Sequence, residues 1–100
     1  MENQFYVGTL LSIPCNIFDG PISSEKIISC NLNTQPPIKI EGIVSEEMTK
    51  QNNRVITVIS SIDQNSATLF FNGEMISPRN PVKVPIQWLQ ENAELEKIVQ

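Results

Sequence analysis

Residues 54–76, RVITVISSIDQNSATLFFNGEMI, decide the class of this chain. Arg54–Ile62 is rich in β-branched residues, Asp63-Gln64-Asn65-Ser66 is a polar turn cluster, and 67–71 (ATLFF) resumes the apolar run. Asn72-Gly73 then predicts a two-residue type I′ hairpin, which sets Phe70 opposite Met75 and Leu69 opposite Ile76. Two such segments with turns between them indicate antiparallel β structure. Arg54–Ile62 is apolar on both faces, with Ile56, Val58 and Ile62 on one and Val55 and Ile59 on the other, so it requires cover from both sides and a central position.

Outward from this stretch, 5–13 alternates Phe5, Val7, Thr9, Leu11 and Ile13 against Tyr6, Gly8, Leu10 and Ser12, the pattern of a half-buried strand. Asp19-Gly20-Pro21 signals a turn, and 26–32 places Ile28, Cys30 and Leu32 on one face. Pro36-Pro37 interrupts the pattern. In 38–44, Ile38, Ile40 and Val44 face inward and Lys39 and Glu41 outward, with Gly42 where a bulge or bend fits. Ser45 followed by Glu46 and Glu47 predicts one helical turn near 46–51, its acids complementing the helix dipole. At the C-terminal end, Val82, Val84, Ile86 and Trp88 alternate as in an edge strand with Pro85 outward, yet Pro85 also suits the first position of a helix; the favoured reading is a short strand at 82–84 and a helix of good helix formers over 86–98. The expected fold is mainly β: a single domain over 1–100, a small antiparallel β-barrel or sandwich of five to seven strands with that helical turn and a C-terminal helix.

One hundred residues suit one domain that buries roughly two-thirds of its unfolded surface without obligatory staples. Cys15 and Cys30 match neither a CxxC redox pair nor a zinc knuckle, and there is no histidine. We therefore expect two free thiols in a reducing compartment, with a single disulfide as the alternative. Glu2 stands where a signal peptide needs a cation, and no apolar run approaches the length of a membrane span. The expectation is a cytoplasmic protein with no membrane partner. Net charge is −4, from seven Lys and Arg against eleven Asp and Glu, and the cations are scattered, which disfavours binding to a phosphate backbone.

Without an imidazole there is no His-assisted Ser or Cys nucleophile, and neither a nucleophile elbow nor a glycine-rich phosphate loop is present. Glu46 and Glu47 are consecutive and would diverge by about 100° on a helix, so they do not read as a catalytic pair. The EF-hand spacing from Asp63 to Glu74 fails at Ala67 and Thr68. No residue is thus expected to be catalytic, cofactor-binding or metal-ligating, and the chain is not expected to be an enzyme. On a helical wheel, Ile86, Leu89 and Ala93 cluster on one side and Trp88, Leu95 and Val99 on nearly the other. This second stripe makes Trp88, Leu95 and Val99 the candidate interface toward another protein or a second copy of the chain. The functional expectation is a non-catalytic protein-interaction or accessory domain acting through a sheet edge or the C-terminal helix. The alternatives are a nucleic-acid-binding small barrel, which would gather Lys39, Lys50, Arg54, Arg79 and Lys83 on one face, and a barrel that binds a small molecule.

Overall fold

The computed structural model describes residues 5–96. They form a compact, mainly β unit of two antiparallel sheets. The strands are β1 (Leu10–Pro14), β2 (Asn16–Asp19), β3 (Glu25–Leu32), β4 (Ile38–Ser45), β5 (Thr49–Lys50), β6 (Arg54–Ile62), β7 (Ser66–Phe70), β8 (Gly73–Ser77), β9 (Val82–Pro85) and β10 (Glu94–Leu95). A 3-10 turn over Glu46–Met48 follows β4, shorter than the helical turn expected near 46–51 because Thr49 and Lys50 pair with β6, and the Ser45 side chain makes no capping hydrogen bond. The α-helix α1 spans Ile86–Asn92. The first sheet has the order β10-β1-β6-β7-β9, with β5 also on β6, and the second has the order β2-β3-β4-β8. The strand count exceeds five to seven because β2, β5 and β10 are short strands that the alternation of the sequence did not mark.

β6 is central in its sheet, lying between β1 and β7, although its second apolar face is only half covered. Val55, Thr57 and Ile59 are buried, Ile56 and Val58 half-buried. Beyond Ile59 the ladder with β7 slips at Ser60, so Ile62 returns toward the core. In the second sheet Ile28, Cys30 and Leu32 of β3 and Ile40 and Val44 of β4 are buried, as the alternation predicts. The slip in the β4–β8 ladder leaves Ile76 of β8 as the extra residue opposite the Glu41–Gly42 step, so the bulge lies on β8 and not at Gly42. Leu11, Ile13, Val55, Ile59 and Leu69 from the first sheet and Ile28, Leu32, Ile40 and Val44 from the second belong to one continuous apolar cluster.

Four expectations are corrected. First, Asn72-Gly73 is not a hairpin turn. A strand has two edges, and those of β7 are taken by β6 (Ile59↔Leu69) and β9 (Leu69↔Val82). β8 therefore leaves the first sheet and pairs with β4, placing Met75 opposite Gly42 rather than Phe70. Phe71 is fully buried at the crossing. The Asn80 side chain holds its backbone there: Phe71 N–H donates to Asn80 Oδ1 at 3.0 Å, and Asn80 Nδ2 donates to the Phe71 carbonyl at 2.7 Å. Gly73 matters for close approach, because an added Cβ would overlap the Ile43 carbonyl oxygen and stand 2.8 Å from Val44 Cα.

Second, the cysteines are bonded to each other. The β2–β3 register (Asn16↔Ser29, Ile17↔Ile28), continued by one residue, places Cys15 directly opposite Cys30. Their Cα atoms are 4.4 Å apart, the spacing of a non-hydrogen-bonded antiparallel pair. In keeping with that, the Cys15 N–H points away from β3 and donates to the Asn53 carbonyl at 2.8 Å.

Third, the strand expected over 5–13 begins only at Leu10. Gly8, at φ 92°, turns the chain, and its N–H donates to the Ile59 carbonyl at 2.8 Å. Fourth, the helix expected over 86–98 ends at Asn92, and Glu94 and Leu95 lie extended on the free edge of β1, opposite Ser12 and Leu11. Arg54 closes this end of the helix. Its Nη2 donates to the carbonyls of Asn92 and Ser12 at 2.8 and 2.9 Å, and its Nε lies 3.0 Å from Glu94 Oε2. Ladder pairing and this clamp outweigh helix propensity beyond residue 92.

Candidate interaction surface

The structure separates the residues that the helical wheel had grouped. Trp88 is 6% exposed and belongs to the apolar core together with Leu89. Its indole N–H is satisfied by Asn33 Oδ1 at 2.8 Å. Leu95 is 48% exposed but stands on β10, not on the helix, and Val99 lies outside the described residues. The remaining face of α1 is polar, with Gln87, Gln90 and Glu91 exposed. Trp88 and Leu95 therefore do not share a stripe on one helix.

A different apolar surface emerges on the second sheet. Residues directly opposite across an antiparallel ladder share a face, and Ile27 stands opposite both Phe18 and Ile43. Their neighbours Ile17, Ile28 and Gly42 point to the core side, so Phe18, Ile27 and Ile43 form a cross-strand row on the outer face. Phe18 is 55% exposed, and Ile27 and Ile43 are half-buried. The row continues to Glu74 of β8 and ends, at Phe18, on the edge strand β2. Alternation of the ladder turns the backbone N–H and C=O of Ile17 and Asp19 outward from that edge. Sequence reading missed this row because Phe18 lies in a four-residue strand, Ile27 seemed only the off-face residue of 26–32, and nothing local reveals their register.

Beside Ile43, at the end of the sheet, is a hollow of about 580 Å³. It is lined by Ser24, Ser45, Asn72 and four glutamates, Glu25, Glu46, Glu47 and Glu74, with no cation among its lining residues. Glu25 and Ser45 are cross-strand partners, Glu46 N–H is tied to the Ser24 carbonyl at 2.8 Å, and Glu74 is brought in by β8. The broken hairpin is thus what carries Glu74 to this site.

The cations are engaged elsewhere. Lys26 pairs with Asp19, Lys39 with Glu41, Lys50 with Glu96, Arg54 with Glu94 and Lys83 with Asp63. Among the described residues, Arg79 is the one cation without a carboxylate partner. The hydrogen bond from Lys26, and then its charge, lowers the Asp19 pKa, and the hydrogen bond with Asp19 raises that of Lys26. Comparison with protein-family models, with curated proteins and with solved structures finds no match. Among the described residues, no group of three or more His, Cys, Asp or Glu is placed to hold a metal ion. No helix among them is long and apolar enough to cross a membrane.

Proposed function

We propose that this domain is a non-catalytic protein-interaction or accessory module that binds a polypeptide through the outer face and free β2 edge of its second sheet. The observation that carries this reading is the row Phe18–Ile27–Ile43, apolar, turned away from the core and open at an edge that pairs with no other strand among the described residues. An edge strand offers a partner main-chain hydrogen bonds, and side chains across the face add selectivity. The burial of Trp88 shifts weight from the C-terminal helix to the sheet. The nucleic-acid alternative loses support from the pairing of Lys39, Lys50, Arg54 and Lys83 with carboxylates, since paired cations release fewer counterions. We read the two sheets as the layers of a small sandwich, because no ladder joins them and each keeps free edges. The cytoplasmic expectation drew on two reduced thiols, and the Cys15–Cys30 bond removes that ground.

The test compares the proteins retained by the wild-type chain, by Phe18→Asp and by Leu95→Ser, with circular dichroism and sedimentation on each. Partners lost on Phe18→Asp and kept on Leu95→Ser, with the fold intact, support the reading. Loss confined to Leu95→Ser transfers the site to β10, and retention by both variants overturns it.

A further inference from the structure

We infer that the polypeptide bound on this face is basic, with an apolar residue seated on the Phe18–Ile27–Ile43 row and a lysine or arginine entering the glutamate-lined hollow beside Ile43. The inference rests on the interaction face proposed above and assigns the chemistry of its occupant. The row alone would accept any apolar segment. What selects among segments is the wall at its end: Glu25, Glu46, Glu47 and Glu74 line one hollow, and none of them is in an ion pair with another described residue. Lys26, at the opposite parity of β3 alongside Val44, is hydrogen-bonded to Asp19 at 2.9 Å and also feels the charge of Glu46, and Lys39, on the outer face, is paired with Glu41. The outer face therefore presents an apolar floor beside a cluster of carboxylates whose charge Lys26 offsets only in part. An extended strand projects alternate side chains about 7 Å apart on one face, so a basic–x–apolar spacing can span from the hollow to the row. An acidic segment would meet like charge at the wall and be rejected.

Fluorescence anisotropy of the purified chain with two labelled eight-residue peptides tests this, one repeating Lys-Ser-Leu-Ser and one repeating Glu-Ser-Leu-Ser, so that charged and apolar side chains share one face of the extended strand. The lysine peptide is expected to bind and to weaken steeply with salt, and the glutamate peptide not to bind. Glu46→Gln, Glu47→Gln and Glu74→Gln, all at exposed positions, should each weaken the lysine peptide roughly two- to fivefold. Glu91→Gln, exposed on α1, should leave it unchanged. Amide shifts on titration should centre on Ile27, Ile43, Ser45 and Glu74. Equal loss with Glu91→Gln would mean diffuse attraction to net charge, and absence of binding by the lysine peptide would mean no site for a basic segment; either overturns the inference. Binding lost on Phe18→Asp but indifferent to salt and to the glutamate substitutions overturns the charge assignment and leaves the interaction face standing.

Discussion

The indole N–H of Trp88 donates to Asn33 Oδ1 at 2.8 Å, joining α1 to the segment that follows β3 across a separation of 55 residues. Because the ring is buried as well as bonded, its loss removes packing and a docking point at once. Trp88→Ala should cost about 3–5 kcal/mol. Asn33→Ala, at an exposed residue, should cost about 1 kcal/mol. Urea titration followed by circular dichroism checks both, and native tryptophan emission should be blue-shifted. Association lost on Trp88→Ala with undiminished stability would return Trp88 to an interface.

Gly73 distinguishes close approach from turn conformation. At positive φ in a hairpin, asparagine would be tolerated and alanine would not. Against the Ile43 carbonyl neither side chain has room. Gly73→Ala and Gly73→Asn should therefore both destabilise by about 1–3 kcal/mol. Native-like stability of the asparagine variant would restore the hairpin.

The Cys15–Cys30 bond closes a loop with a sequence separation of 15, for which the chain-entropy model gives about 3 kcal/mol. Unreduced protein should resist alkylation after denaturation and be lighter than the reduced chain by its two thiol hydrogens. Reductant should lower the melting temperature. Two labelled thiols in unreduced protein would contradict the pairing.

Asp63 ties the turn between β6 and β7, accepting the N–H groups of Asn65 and Ser66 at 3.0 and 2.8 Å, with the Ser66 hydroxyl and Lys83 also on its carboxylate. These donors, the Asn65 N–H foremost, hold its carboxyl well below the usual carboxylate range. A folded pKa below the unfolded value of about 3.9 means that its contribution is complete above that pH and is lost as the pH falls below it. Wild type should lose more stability than Asp63→Ala between about pH 5 and pH 2 when urea midpoints are compared. Parallel pH profiles would exclude this role.

Arg54 should be the residue that fixes β10. Arg54→Met keeps the aliphatic stem but removes donors to the Ser12 and Asn92 carbonyls. Hydrogen exchange should then accelerate at Glu96, whose N–H donates to the Leu10 carbonyl at 3.0 Å, before it accelerates in β6. Unchanged exchange at Glu96 would show that the ladder alone suffices.

Local alternation by itself determined the β class of the chain, the central place of Arg54–Ile62 and the inward sets Ile28, Cys30, Leu32 and Ile40, Val44, whereas at Pro85 a continued strand and a helix start both fitted and the structure decided for the helix. Those features depend on which face of a segment is apolar, a property of a few neighbouring residues. Whether Asn72-Gly73 closes a hairpin depended instead on β6 and β9 already occupying both edges of β7. Likewise, Cys15 met Cys30 through the β2–β3 register, the helix yielded at Asn92 to a ladder with β1, and Phe18, Ile27 and Ile43 became one row only across three strands. Pairing partners and register are chosen by competition among distant segments for a limited number of strand edges, so only the tertiary structure could decide them.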